Sequence, residues 1–263
     1  MAELTDYDQL MLELVNRARL DPNAEAARQG IGLNAGLSAG TLTGTAKQPL
    51  APNLNLNTSA SNHSLWMLAN DIFSHTGSGG SNPGQRMTAA GYVFAGSWTW
   101  GENIAWTGTT GTPNVQAMSV QLHTNLFHSA GHRENILNGD FREIGIGIET
   151  GVFTSNGTNY NAVMGSQNFA RSGSNVFVTG VAINDADGDN FYDVGEARAG
   201  VTVAVTKDGL AAGHATTAAA GGYSAAVAGG NLKVVFSGGG LAQSVTVDIA
   251  AGTQHAKVAL VDA

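Results

Sequence analysis

The chain contains no cysteine, which excludes disulfide bonds and thiolate metal sites. It is also poor in charge, because Asp, Glu, Lys and Arg make up only 12% of its 263 residues, about half the usual share. The formal net charge is −8, and no run of basic residues occurs. Since the neutralisation of phosphates requires clustered Lys and Arg, we do not expect the protein to bind nucleic acid.

Long hydrophobic runs are missing as well. No apolar stretch approaches the roughly 20 residues that cross a bilayer, so no membrane span is expected. Residues 1–6 are acidic and lack the apolar region of a signal peptide. The 43% of apolar residues is enough for a core, and the 36 glycines are nearly twice the usual share. A surface poor in charge and rich in Gly, Ala, Thr and Asn is common in secreted bacterial proteins, so we expect a secreted, extracellular protein.

The first two thirds of the chain carry the periodicity of helices. Apolar spacing predicts helices over residues 6–20, 22–29, 58–72, 113–128 and 132–137, with a short one between Pro83 and Gly91. Asp6 is the expected N-cap of the first helix, and Asn57 or Thr58 that of the third. Residues 30–52 are rich in Gly, Thr, Ser and Asn and are expected to form a long surface loop.

Strand patterns follow these helices. Residues 98–105 are expected to be extended or irregular, because Gly101 interrupts the pattern. Residues 143–149 alternate strictly, which predicts a strand with isoleucines on one face and glycines on the other. Something is then expected to pack closely against the glycine face. Asn156-Gly157 predicts a tight turn that leads to a partner strand at 161–169.

The composition changes after a linker at residues 171–175. The rest of the chain has no helical periodicity but six short runs rich in Val, Thr, Ala and Gly: 176–183, 201–206, 222–227, 232–236, 241–249 and 254–261. Short runs at this spacing are typical of a small all-β sandwich. We therefore predict two domains, at residues 1–171 and 172–263.

Three polar clusters in the first domain contain His75, Glu102 and His132. Each of these residues lies at the end of a predicted element, where site residues are usually found. Two imidazoles and a carboxylate can hold a divalent metal such as Zn²⁺. The same groups can also act as a general base and its electrostatic partner toward a polar ligand. Covalent catalysis has little support, since the chain has no thiol and no nucleophile-elbow serine.

Five motifs occur in order around these clusters: FSHTG, RMTAAGY, WGENIAW, SAGHRENIL and EIGIGI. Because of these motifs, residues 6–170 resemble the CAP superfamily (cysteine-rich secretory proteins, antigen 5 and pathogenesis-related proteins), in its bacterial branch. The resemblance implies an α+β fold, a three-layer α-β-α sandwich with a central cleft. In the eukaryotic family, two histidines and two acids line this cleft and often bind a divalent metal.

The motifs assign roles to individual residues. By resemblance, His75 is the first histidine of the cleft, Glu102 the first acid and His132 the second histidine. The second acid has no counterpart, because the chain has Leu126-Phe127-His128 at that place. His63 matches a histidine that bacterial members often carry, and it is expected to border the cleft.

The residues around His132 are expected to support the site rather than belong to it. His128 is interpreted as structural or exposed. Glu134 is near in sequence but need not point inward. Arg133 is expected to pair with Glu134 or Asp140.

Residues 185–196, DADGDNFYDVGE, match a calcium-binding loop. Oxygen ligands occur at positions 1, 3, 5, 7, 9 and 12, namely Asp185, Asp187, Asp189, the Phe191 carbonyl, Asp193 and Glu196. Asn190 stands where glycine is usual, and asparagine tolerates left-handed backbone angles better than most residues. Five carboxylates this close repel one another unless a cation screens them, so we predict a Ca²⁺ site.

No helical pattern flanks this loop, so a helix–loop–helix pair is not expected. Residues 176–263 instead resemble the calcium-binding B-type repeat domains of bacterial surface adhesins and related transthyretin-like sandwiches. The resemblance implies a fold of the all-β sandwich type and a role in rigidity and spacing rather than in catalysis.

Three functions remain open at this stage. The first is a secreted CAP protein whose cleft binds a divalent metal or a small ligand, with a calcium-stabilised sandwich. The second is a metal-assisted hydrolase or peptidase that uses His75, Glu102 and His132 around a water molecule. The third is a non-catalytic adhesion or matrix protein. The partner would be an extracellular ligand or surface that the sequence does not identify, and the fold does not decide among the three.

Overall fold

The computed structural model describes residues 3–262. The described part contains six α-helices, one for each predicted helix: α1 (Asp6–Leu20), α2 (Pro22–Arg28), α3 (Leu54–Asn70), α4 (Pro83–Ala89), α5 (Val115–His128) and α6 (Ala130–Ile136). None of the helices in residues 3–262 combines the length and apolarity that crossing a membrane demands. The outer limits of the two predicted domains, residues 1 and 263, lie outside the described residues.

Two helices are capped by residues other than the expected ones. Thr5 caps α1 in place of Asp6, because its hydroxyl accepts a hydrogen bond from the Asp8 amide and the Asp8 carboxylate accepts one from Thr5 N. Asn53 caps α3 about one turn before the predicted position. Asn57 is not free to cap, since its side-chain oxygen accepts a hydrogen bond from Ile146 N in the neighbouring sheet.

The helices surround one mixed sheet of four strands: β1 (Ala51–Pro52), β2 (Trp98–Thr109), β3 (Glu143–Ser155) and β4 (Thr158–Ser172). Their order is β1-β3-β4-β2, with β1 parallel to β3 and the other pairs antiparallel. The predicted turn between β3 and β4 is confirmed, and Asn156 and Gly157 take φ values of 50° and 76°. The segment that was expected to be extended or irregular is extended, since it belongs to the regular strand β2, and Gly101 within it pairs with Phe169.

The two faces of β3 differ as the alternating sequence predicts. Ile144, Ile146 and Ile148 join the core that includes residues of α1 and α5. On the other face, a Cβ atom at Gly145 would lie 1.9 Å from the carbonyl carbon of Leu56. The expected close approach is therefore confirmed, and it is the backbone of α3 that lies against the glycines. This contact fixes the helix that carries His63.

The part of the chain after Ser172 is entirely β. Its strands are β5 (Val176–Asn184), β6 (Val201–Lys207), β7 (Leu210–Thr216), β8 (Gly222–Val227), β9 (Gly230–Gly238), β10 (Val245–Ala251), β11 (Ala256–Lys257) and β12 (Leu260–Asp262). One sheet has the order β10-β9-β6-β7, and in the second β5 pairs with β8, β11 and β12. Strand β7 was not predicted, because its sequence LAAGHAT lacks alternation. The last predicted run is divided into β11 and β12, which both pair with β5 in parallel.

The β part contacts the helical part along α1. Leu10 and Leu14 of α1 share one buried cluster with Val181, Ile183 and Tyr192. An ion pair joins Lys257 Nζ to Glu13 Oε2 at 2.7 Å. Since Tyr192 belongs to the predicted calcium loop and is only 1% exposed, this loop is held against the first helix.

Candidate functional site: a histidine–glutamate–arginine cleft and an acidic loop

Glu102 is the centre of the first candidate site. It lies on β2, and its side chain is 1% exposed. Its Oε1 atom accepts a hydrogen bond from His75 Nδ1 at 2.9 Å, and its Oε2 atom is 2.5 Å from a terminal nitrogen of Arg86. Asn168, in the amide orientation that satisfies both of its polar atoms, donates to Oε2 at 3.1 Å. The carboxylate is thus fixed by three donors, one of them a cation.

His75 lies in the loop after α3, and its side chain is 52% exposed. Because Nδ1 donates to Glu102, the neutral imidazole presents Nε2 as an acceptor for a ligand or a water molecule. The loop itself is held by Arg86 of α4, whose Nη1 atom donates to the carbonyl oxygens of His75 and Ser81, each at 2.9 Å. One arginine therefore positions both members of the His75–Glu102 pair.

His132 is the third residue of α6 and is half-buried. Burial lowers the pKa of its imidazole, and a proton on the nearby His75 lowers that pKa further. Helix α6 is fixed to β2 through Asn103, which donates to the His132 carbonyl at 3.2 Å and accepts from Asn135 Nδ2 at 2.9 Å. His132 thus lies near His75, whereas within residues 3–262 its ring bonds to neither His75 nor Glu102.

His63, which was expected to border the cleft, is a buried residue of α3. It is 1% exposed, and its Nε2 donates to the carbonyl of Ser74 at 2.9 Å, so it supports the residue that precedes His75. Its ring is stacked on Trp66 with centroids 5.8 Å apart. Burial is the largest cause of the lowered pKa of His63, which keeps the ring neutral and leaves Nδ1 as an acceptor.

Arg133 differs from its expected role. It is fully buried and pairs with neither Glu134, which is exposed, nor Asp140, which contacts Arg171. Its guanidinium donates instead to four carbonyl oxygens, those of Leu33, Ala35, Phe127 and His128. A buried cation requires such partners, and short-range sequence reasoning missed them because two belong to the loop after α2. His128 is exposed and bonds the Gln29 carbonyl, in agreement with a structural role.

Comparison with known proteins places this cleft in a family. The family model described as CAP, the cysteine-rich secretory protein family, matches residues 12–169. The chain belongs to the CAP family. The matched residues include His75, Glu102, His132 and all of the strands and helices that carry them.

Individual relatives of the CAP chain are distant. No curated protein matches it. An extracellular protein containing an SCP domain from Bacillus anthracis str. Ames is 22% identical over 65% of this chain, with a TM-score of 0.41. The match spans 45% of the Bacillus protein, less than half of its length. An outer surface protein from Borrelia burgdorferi is 14% identical, with 65% of this chain and 97% of that chain covered and a TM-score of 0.39.

The CAP cleft, as the structure arranges it, fits a divalent metal poorly. Within residues 3–262, one group of three or more His, Asp or Glu side chains has its ligand atoms within 4.8 Å of one another, and it does not include His75, Glu102 or His132. Both oxygens of Glu102 are engaged, and the Arg86 guanidinium already neutralises the carboxylate. A second cation would have to displace or face the first one.

Sequence reasoning missed the most informative residue of the CAP cleft. Arg86 was visible only as the first letter of the RMTAAGY motif, and no spacing rule links it to Glu102. Asn103 and Asn135 belong to the WGENIAW and SAGHRENIL motifs, but the sequence assigned no role to either residue. Their amide contacts form between elements that are distant in sequence, so the motif positions were the only signal for them.

The group of clustered ligand atoms mentioned above consists of Asp185, Asp187 and Asp189, in the predicted calcium loop. Within residues 3–262, no Lys or Arg forms a salt bridge with any of the three. Asn190 has a φ of 61°, so the left-handed turn expected at this position is confirmed. The loop thus brings three anions together without a cationic side chain.

Glu196 and Asp193 close this loop in different ways. The carboxylate of Glu196 accepts hydrogen bonds from Ala186 N at 2.8 Å and Asp193 N at 3.1 Å, so it ties the two ends of the loop together. Asp193 accepts from Gln116 of α5 at 2.6 Å. Burial raises the pKa of Asp193, and the charges of Asp189, Asp187 and Glu196 raise it further. The raised pKa of Asp193 therefore reflects the negative charge of the neighbouring acids in the loop.

Proposed function

We propose that the protein is an extracellular CAP-domain binding protein whose cleft accepts a small polar ligand through His75 and His132. The observation that carries this proposal is the fixed ion pair beneath the cleft, in which buried Glu102 is held by His75 and Arg86. A preorganised imidazole with a free Nε2 offers a directed hydrogen bond at little entropic cost. The family name and the charge-poor composition support the extracellular location.

Metal binding in the cleft is the competing form of this proposal, and a calorimetric zinc titration separates the two. We expect wild-type protein to bind Zn²⁺ in the cleft no more tightly than millimolar, because Arg86 neutralises the one carboxylate. The matched variant replaces His75 and His132 by alanine, and its titration should be indistinguishable from that of the wild type. Micromolar zinc binding that this double substitution abolishes would contradict the polar-ligand proposal and support a metal centre.

A hydrolase is the second candidate, and the His75–Glu102 contact is the observation that favours it. A carboxylate that orients an imidazole is the arrangement of a general base acting on water. Casein and peptidoglycan hydrolysis should be followed for wild type, His75→Ala and Glu102→Gln, with and without added zinc. We expect no turnover above the background of His75→Ala. Turnover that both substitutions remove would establish the hydrolase instead.

For the second part of the chain we propose a bound Ca²⁺ at the loop of residues 185–196, as a stabiliser of the β-sandwich. The convergence of Asp185, Asp187 and Asp189 without a cationic partner supports this proposal. Carboxylate oxygens are the ligands that calcium prefers. The Phe191 carbonyl, Asp193 and Glu196 complete the proposed set, and Glu196 would have to exchange its two loop amides for the ion.

Calorimetric melting tests the calcium proposal. Calcium at 100 times its dissociation constant should stabilise the protein by about 2.7 kcal/mol, if the ion binds the folded state alone. The melting temperature should fall when a chelator is added. Asp248→Asn provides the control, because Asp248 is an exposed carboxylate in the same region but outside the loop. Melting curves that are identical with calcium and with chelator would overturn the proposal.

A further inference from the structure

A cavity of about 500 Å³ lies between α3, α4 and the loop that joins them. Asn62 and Trp66 of α3, Ser78 and Ser81 of the loop, and Arg86 of α4 are among the residues that line it. Cavities of 300–1,000 Å³ are the usual size of small-molecule sites. None of His75, Glu102 and His132 lines this cavity, so it is a separate site that adjoins the cleft at Arg86.

The lining is mixed, with amide, hydroxyl and guanidinium groups set among more apolar surface, and it is almost free of net charge. Asn62 and Trp66 are four residues apart and therefore share one face of α3. Arg86 is the charged residue of the lining, and Glu102 already balances its charge. A strongly anionic ligand would find no uncompensated cation here. A purely apolar ligand would bury the amide and hydroxyl groups without partners, which is costly.

Two nitrogens of the lining residues lack a hydrogen-bond partner within residues 3–262, namely His63 Nδ1 and Arg86 Nε. One of these nitrogens is a hydrogen-bond acceptor and the other a donor. His63 donates through Nε2 to Ser74, so its neutral ring leaves Nδ1 as an acceptor, while Arg86 Nε is always a donor. Both atoms are buried beneath the cavity surface, so a ligand in the cavity does not contact them directly. Buried polar atoms normally have hydrogen-bond partners, and His63 is only 1% exposed.

We propose that this cavity binds a neutral sugar residue. A sugar presents several hydroxyl groups, which suit Asn62, Ser78 and Ser81, and it carries no charge that Arg86 would have to balance. Its apolar C–H face can pack against the indole of Trp66, which supplies a large rigid contact with a polar edge. The proposal does not depend on a ligand in the cleft, since His75, Glu102 and His132 are not part of the cavity lining and Arg86 is the residue that the two sites share.

Calorimetric titration of the whole chain with maltotriose and with tri-N-acetylchitotriose tests the proposal. We expect at least one of these neutral trisaccharides to bind, and Asn62→Ala and Ser78→Ala to weaken that binding at least tenfold each. Both residues are exposed, so neither substitution should unfold the protein, and circular dichroism verifies this. Asn70→Ala is the matched control, because Asn70 is an exposed asparagine of the same helix outside the cavity, and it should leave the affinity unchanged.

His132→Ala separates this inference from the proposed cleft function. Sugar binding should survive that substitution. Binding that His132→Ala abolishes and Asn62→Ala leaves intact would place the sugar in the cleft and overturn the cavity proposal while supporting the cleft. Failure of both trisaccharides to bind the wild type would overturn the cavity proposal alone.

Discussion

The cleft and the acidic loop both contain buried or clustered carboxylates, but they manage this charge in opposite ways. Glu102 is buried and has a guanidinium, an imidazole and an amide around it. Asp185, Asp187 and Asp189 converge, and within the described part of the chain none of them forms a salt bridge with Lys or Arg. The first arrangement has its counter-charge within the chain, and the second has no such counter-charge among residues 3–262. A group of acids alone therefore does not indicate a metal, because what matters is whether the protein supplies the counter-charge.

The substitution with the largest expected effect removes Arg86, the counter-charge of Glu102 in the cleft. Arg86→Met should destabilise the protein by about 3–5 kcal/mol, because it leaves Glu102 as a buried carboxylate without its cation. It should also raise the affinity of the cleft for zinc, since the carboxylate is no longer neutralised. Urea unfolding and zinc calorimetry measure the two effects.

Arg171→Met is the control for that substitution. Arg171 pairs with Asp140, whose side chain is 68% exposed, and removing such a surface pair should cost less than about 1 kcal/mol. Equal losses for the two arginine variants would show that the Glu102–Arg86 pair is no more important than a surface pair.

A second test makes the same chemical change at both places. Glu102→Gln should destabilise the protein by about 1.5–3 kcal/mol, because it weakens hydrogen bonds to charged donors. Asp189→Asn in calcium-free buffer should change the free energy of unfolding by less than about 0.5 kcal/mol, because relief of repulsion offsets any lost contact. The same Asp189→Asn protein should bind calcium at least tenfold more weakly. A clear loss of calcium-free stability on Asp189→Asn would mean that the loop is not short of positive charge.

A third test uses acid, to which two groups of the β part, Asp193 in the acidic loop and His255 outside it, respond with opposite sign. In the acidic loop, the raised pKa of Asp193 means that protonation favours the folded state. His255, which is 5% exposed at the edge of the β part, has its pKa lowered to about 4, chiefly by burial. Since the unfolded imidazole titrates near 6.5, the unfolded state takes up the proton first, and stability falls as the pH drops from about 6.5 to 4.

At pH 5 this histidine should cost about 2 kcal/mol relative to pH 7.5. His255→Gln should remove most of that loss, as chemical unfolding at the two pH values will show. His214→Gln in the exposed edge strand β7 is the control and should leave the pH dependence as it is in the wild type. An unchanged acid response in His255→Gln would mean that other groups dominate it.

Several features of the fold followed from local sequence alone. The alternation in EIGIGI predicted both the strand β3 and the close approach at its glycine face, because the side-chain period of a strand is two. The Asn156-Gly157 turn and the left-handed Asn190 followed from backbone preferences of single residues. Capping was harder: Thr5 and Asn53 replaced the expected caps because hydrogen bonds to neighbouring elements, such as that of Asn57, decide which side chain is free.

In the candidate sites, too, some residues were predictable from the sequence and their contacts were not. The motifs singled out His75, Glu102 and His132, and the acidic spacing singled out residues 185–196. The partners of these residues were not predictable. Arg86 is 16 residues before Glu102, and Arg133 bonds carbonyls about 100 residues away. Such contacts depend on how α4 and α6 are placed against the sheet, which no local period encodes.

The sequence by itself determined which residues are candidates for the two sites, where the helical part gives way to strands, and that no thiol takes part. Only the tertiary structure decided which charged groups meet at each site, because it set Arg86 against Glu102 and, among residues 3–262, placed no basic side chain in a salt bridge with Asp185, Asp187 or Asp189. The physical reason is that Coulomb energy and burial depend on distances across the fold. Residues far apart along the chain acquire those distances only when the chain is folded.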